Sequence, residues 1–130
     1  MVIAVDFDST IVTHAYPLIG QAIGRSVEIL RHFREDLKCA VILHTCREPG
    51  VGLLEEAVEW CRSKGLEFDA VNENVCRNDV IGKHKLLVDL FIDDRCAGRL
   101  MMGRCGDMTP AEWELIEEQV EAVCAQSGKG

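Results

Sequence analysis

The sequence has no apolar run near the ~20 residues needed to cross a bilayer, and Asp6 interrupts the apolar start before a signal-peptide pattern could form. The expectation is a soluble, cytoplasmic protein with no membrane partner. It also lacks any C-x-x-C pair or paired His/Cys spacing. Its seven cysteines, Cys39, Cys46, Cys61, Cys76, Cys96, Cys105 and Cys124, are odd in number, which argues against a disulfide framework or a structural zinc site. Reduced thiols serving as small apolar side chains fit a reducing cytosol. Basic residues are in deficit, 14 Lys and Arg against 22 Asp and Glu, for a net charge of −8. That balance argues against nucleic acid or anionic membrane as a general partner, while still allowing one local basic pocket to hold a phosphate. No internal repeat, low-complexity tract or linker divides the 130 residues. The length suits one domain, 1–130, with 126–130 as a frayed tail.

What is present begins with the stretch M-V-I-A-V-D-F-D-S-T. Val2 to Val5 form a short apolar run without alternation, which suits a strand covered on both faces of a parallel sheet. Asp6 and Asp8 end it. Two carboxylates so close repel each other unless a cation or a shared proton compensates.

Further along, the polar, Gly- and Pro-punctuated segment S-T-I-V-T-H-A-Y-P-L-I-G reads as a loop or flap. Val27, Leu30, Phe33 and Leu37 recur at helical spacing, and a second strand follows at Ala40 to His44, ending in Thr45. L-L-E-E-A-V-E-W-C-R-S-K-G is a second covering helix, with Leu54, Ala57, Val58 and Cys61 on one side and Lys64 and Gly65 at its end. Phe68 to Val71 reads as a weaker strand, Lys83 to Val88 as a helical turn or irregular link, and Leu90 to Ile92 as a buried strand ending at Asp93-Asp94. Gly98 to Met102 reads as a fifth strand. Thr109-Pro110-Ala111-Glu112 offers an N-cap, a first-turn proline and a capping-box glutamate, predicting a last helix from Pro110 to Ala125. Trp113, Ile116, Val120 and Val123 would line its apolar face, and Glu112, Glu114, Glu117, Glu118 and Glu121 its solvated one.

Alternating strands and helices predict a three-layer α/β/α Rossmann-like parallel sheet with right-handed crossovers. Ligands of such sheets bind beyond the strands' carboxyl ends, where the winding reverses. Asp6, Asp8, Thr45, Asp93 and Asp94 all fall at predicted strand C-termini.

In this order and spacing the sequence resembles the haloacid dehalogenase-like hydrolase superfamily. The first motif is an apolar strand followed by D-x-D-x-T, here Asp6, Asp8 and Thr10. The second is a strand ending in Thr or Ser, here V-I-L-H-T with Thr45. The third and fourth, a lysine ahead of an acidic pair, read K-L-L-V-D-L-F-I-D-D-R, with Lys85 eight residues before Asp93 and Lys83 as the competing lysine.

The resemblance implies a role for each group. Asp6 is the nucleophile of a Mg²⁺-dependent phosphomonoester phosphatase that works through an aspartyl phosphate. Asp6, the Asp8 main-chain carbonyl and Asp93 are the implied metal ligands, with Asp94 either direct or one shell out. Asp8 is the implied general acid and then base. Thr45 and Lys85 bind the oxygens of the transferring group. Thr10 braces the loop. Arg47, in H-T-C-R-E, is open between holding a second substrate anion and forming a surface ion pair. Arg95 is placed to neutralise the acidic pair, while His14 and Tyr16 lie in the flap.

The intervals 11–44 and 46–84 are too short for the cap domain that many relatives carry, so the expectation is a capless molecule with an open site, which a homo-oligomer could cover. Two alternatives stand beside the phosphatase: transfer of the phosphoryl group to another acceptor, and a non-catalytic metal- or phosphate-binding module. The identity of the phosphorylated substrate is not written in the sequence.

Overall fold

The computed structural model describes residues 1–75 and 86–127. The chain runs β1 (Val2–Val5), α1 (Ser26–Glu35), β2 (Ala40–Leu43), α2 (Leu53–Ser63), β3 (Ala70–Val71), β4 (Leu90–Ile92), α3 (Ala97–Met101) and α4 (Pro110–Ser127). The four strands form one all-parallel sheet in the order β3-β2-β1-β4. This is a Rossmann-like α/β architecture, consistent with three α/β/α layers.

β1 sits between two neighbours, pairing Ile3 with Val41 on one side and with Leu90 on the other. Ile3, Ala4 and Val5 are accordingly buried on both faces, as an unbroken apolar run requires. Ile3, Val5, Val41 and Leu43 point into the main core, against Ile29, Leu30 and Phe33 of α1, Ala57 and Cys61 of α2, and Trp113 and Val120 of α4. Ala4, Ile42 and Ala70 face the other way, against Val75, Leu86 and Val88.

The strand order explains that division. The chain steps from β1 to β2 to β3 in one direction, so right-handed crossovers put α1 and α2 on one face. It then returns across the sheet to β4 on the far side of β1, and the segments that flank 76–85 cover the opposite face. The winding therefore reverses between β1 and β4, and the crevice beyond their carboxyl ends is the place where such sheets hold ligands.

Four expectations are corrected. Gly98 to Met102 is not a fifth strand, because Ala97–Met101 is the helix α3. The buried Arg99 guanidinium donates to the backbone carbonyls of Asp94, Gly106 and Asp107 and to the Glu112 carboxylate, which folds the chain back on itself. Glu112 therefore belongs to an interior ion pair rather than the solvated face, while also closing the capping box with Thr109 at 3.1 and 3.2 Å. Val123, 44 % exposed, lies off the buried face of α4. The helix itself runs through Gln126 to Ser127, two residues past its expected end and into the expected tail. No helix of the described residues is long and apolar enough to cross a membrane.

Among the described residues no separate cap module interrupts the sheet. Residues 9–25 form a flap, pinned where Thr13 N–H donates to the Gln21 carbonyl at 2.8 Å and Gln21 N–H to Thr13 Oγ1 at 3.0 Å. Gly20 is required there. A Cβ at that position would sit 2.1 Å from the Thr13 carbonyl oxygen.

Candidate functional site

Beyond the end of β1 the backbone turns sharply. The Phe7 carbonyl accepts the N–H groups of Thr10, Ile11 and Val12, and Ser9 takes the left-handed conformation at φ 66°. A non-glycine residue in that region is uncommon, and such turns concentrate at ligand sites. α4 and the chain just before it clamp the turn, since Trp113 Nε1–H of α4 donates to the Thr10 carbonyl at 2.8 Å and Met108 N–H, ahead of the helix, to the Ser9 carbonyl at 2.8 Å.

Register then assembles the acidic group. Val5 pairs with Ile92, so Asp6 and Asp93-Asp94 leave adjacent strands side by side. One carboxylate oxygen from each of Asp6, Asp93 and Asp94 lies within 4.8 Å of the others, and all three residues are half-buried. The Asp6 carboxyl is pushed up to about 7, first by burial, then by its hydrogen bond with Asp94 and the negative charge of Asp93, with the Phe7 backbone N–H opposing. Three carboxylates converging on one point form a donor set of hard oxygens. That chemistry fits a small divalent cation such as Mg²⁺.

Thr10 stands at the centre of this group and is fully buried. Its Oγ1 lies 3.3 Å from Asp6 Oδ2 and 3.1 Å from Asp94 Oδ1, and it accepts the Asp94 backbone N–H at 3.1 Å. The Arg95 backbone N–H, rather than its guanidinium, reaches Asp93 Oδ1 at 2.9 Å.

Thr45 follows β2 and is buried. Its backbone N–H donates to Asn72 Oδ1 at 2.9 Å, across from β3, where Asn72 adopts φ 54°. Its hydroxyl oxygen accepts the Arg47 backbone N–H at 3.2 Å, leaving the hydroxyl proton for another acceptor. His44 and Cys46, on either side, are exposed.

Asp8 stands apart from the acidic group. Its carboxylate receives two parallel N–H bonds from Arg47, Nε to Oδ2 at 2.9 Å and Nη2 to Oδ1 at 2.8 Å. Arg47 is neither a surface ion pair nor open to a substrate anion, which corrects both of its expected roles. It is 2 % exposed, and its three remaining N–H donors go to the carbonyls of Pro17, Leu18 and Leu53. With five donors and five acceptors its capacity is filled.

Lys85, assigned by the resemblance to the phosphate oxygens, and its competitor Lys83 lie outside the described residues. His14 and Tyr16 are exposed on the flap. Sequence reasoning passed over Asn72 and Arg99, which orient Thr45 and the Asp94 loop. Asn72 carried a faint signal in the polar N-E-N that ends the third strand. Beside β4 a cleft of about 510 Å³ borders Asp93 and is walled mainly by apolar side chains, among them Phe91, Met102, Leu115 and Ile116.

No family model matches the chain, and no curated protein matches it. A solved structure does, that of a conserved protein coded by a locus from Bacteroides thetaiotaomicron. The two sequences are 43% identical, and the match covers 94% of this chain and 90% of that one with a TM-score of 0.75.

Proposed function

We propose that this chain, which belongs to the same family as the conserved Bacteroides thetaiotaomicron protein, is a divalent-cation-dependent phosphatase of the haloacid dehalogenase-like kind, acting on a phosphomonoester. One observation carries the reading: Asp6, Asp93 and Asp94 converge within 4.8 Å at the point where the sheet reverses its winding. The D-x-D-x-T, Thr45 and Asp93-Asp94 motifs supply the same residues by resemblance.

Asp6, Asp93 and Asp94 would hold Mg²⁺, together with the Asp8 main-chain carbonyl. The cation supplies charge neutralisation, so that an anionic phosphoryl group can approach a carboxylate. Asp6 attacks phosphorus in line and forms the aspartyl phosphate as the ester oxygen leaves. Asp8 protonates that leaving oxygen and then takes a proton from the water that hydrolyses the intermediate. The Thr45 hydroxyl donates to a phosphoryl oxygen, and Lys85 is assigned the remaining charge. A buried Thr10 keeps Asp6 and Asp94 in register for this geometry.

The test is release of inorganic phosphate from p-nitrophenyl phosphate and a phosphometabolite panel, with Mg²⁺ and with a chelator. Release that requires Mg²⁺ and disappears in Asp6→Asn supports hydrolysis. Phosphate transfer to an added alcohol without release would favour a phosphotransferase. Mg²⁺ binding with neither reaction would favour a binding module.

A further inference from the structure

We infer that Arg47 is a positioning residue that ties the flap to Asp8, so that the carboxylate assigned to proton transfer is set in place by the closed position of residues 16–18. This rests on the phosphatase reading for its catalytic consequence, though not for the coupling itself.

The guanidinium joins three separate parts of the chain. Two N–H groups hold the Asp8 carboxylate, two hold the carbonyls of Pro17 and Leu18 at 3.3 and 3.0 Å, and one holds the Leu53 carbonyl at the head of α2 at 3.2 Å. Its carbon lies 5.1 Å from the Phe7 ring centroid and 5.3 Å from that of Tyr16. Phe7 belongs to the core and Tyr16 to the flap, so the cation bridges the two through its faces as well as its edges.

Besides Arg47, the flap is held by the His14 N–H, which donates to Asp107 Oδ1 at 3.2 Å, by the Leu18 N–H on the Ala15 carbonyl at 2.9 Å and by Ile19 against the core. Tyr16 is 47 % and Leu18 73 % exposed, and the pairing of Thr13 with Gln21 secures only its base. Moving the tip outward would take two acceptors from a buried cation, leaving N–H groups unpaired at a cost comparable to breaking a buried polar network. The same movement would free the planar fork that orients Asp8. Lysine keeps the charge but has neither the fork nor five donors. Closure of the flap and the aim of Asp8 are thus one equilibrium.

Two measurements test this. The first is hydrogen exchange at the Leu18 amide, which donates to the Ala15 carbonyl at 2.9 Å within the flap tip, in wild type, Asp8→Asn and Arg47→Lys, each checked for a cooperative thermal transition. Both variants should exchange faster than wild type at this amide while α4 is unchanged. Wild-type protection in Asp8→Asn would overturn the coupling even if Arg47→Lys does not fold. The second is kinetic, with Mg²⁺, on an alkyl phosphate and on p-nitrophenyl phosphate. Arg47→Lys should lower kcat on the alkyl ester about a hundredfold, the scale of an ångström misplacement. It should change KM little, and lower kcat on the activated ester much less. In an Asp8→Asn background it should cost nothing further. Equal losses on both esters, or losses that add to those of Asp8→Asn, would make Arg47 a brace and overturn the positioning role. If wild type hydrolyses neither ester, the phosphatase reading fails and the exchange experiment alone decides the coupling.

Discussion

Thr10 Oγ1 accepts the backbone N–H of Asp94 at 3.1 Å while lying 3.1 Å from the same residue's Oδ1, although 84 residues separate the two in sequence. The contact is what converts two neighbouring strand ends into one site, because the loop after β1 and the loop after β4 share a single buried hydroxyl. Replacing it with an isosteric methyl should leave the Asp94 N–H unpaired. Thr10→Val is expected to cost about 1–3 kcal/mol, read as a lower midpoint in urea unfolding. It should also weaken the response to Mg²⁺, since Asp94 is no longer held beside Asp6.

The acidic group predicts a cation-dependent stability. Asp6, Asp93 and Asp94 repel one another in the folded chain and are far apart in the unfolded one, so Mg²⁺ should raise the melting temperature, by the equivalent of about 2.7 kcal/mol at a hundred times its Kd. Asp93→Ala and Asp94→Ala should both reduce the rise, and the variant that abolishes it identifies the direct ligand. A melting temperature that does not respond to Mg²⁺ in wild type would remove the metal site.

His32 supplies a pH dependence remote from the site. Its Nδ1 lies 2.7 Å from Asp36 and its Nε2 3.1 Å from Glu121, so the ring links α1 to α4. The Asp36 hydrogen bond is the largest influence and raises its pKa above 6.5, burial opposes, and Glu121 adds to the rise. A raised histidine stabilises the fold fully below its unfolded pKa, and that contribution disappears as pH climbs through the folded value. Wild type should therefore melt higher than His32→Gln below the ordinary histidine value of 6.5, and the two should converge as pH rises through the raised one. A gap that widens with pH would contradict the ion pair.

Much of this architecture could be read from local pattern, for identifiable reasons. β1 and β2 are unbroken apolar runs buried on both faces, each followed closely by a polar residue, whereas β4, expected to be buried, is an edge strand with Phe91 50 % exposed. The capping box at Thr109 works over three residues and formed as expected. Asp6, Asp93 and Asp94 come together because parallel register places the ends of the neighbouring strands β1 and β4 side by side. The rest depended on partners distant in sequence. Leu100, Met101 and Met102 look like a buried strand, yet they are 73 %, 86 % and 70 % exposed. Arg99 decides the conformation there, and besides the Glu112 carboxylate its acceptors are three backbone carbonyls, which no side-chain pattern records. Arg47 was misread for the same reason. Two of its acceptors belong to Asp8, 39 residues earlier, and three to backbone.

The central claim is that phosphorus becomes bonded to Asp6. Wild-type protein should be mixed with a phosphomonoester it turns over in Mg²⁺, quenched in acid within a single turnover, and its peptides mapped by mass spectrometry. A phosphoryl adduct is expected on the amino-terminal peptide, at Asp6, that accumulates further in Asp8→Asn, whose breakdown step lacks its base, and is missing from Asp6→Asn. Turnover without any adduct, or an adduct that persists in Asp6→Asn, would contradict it.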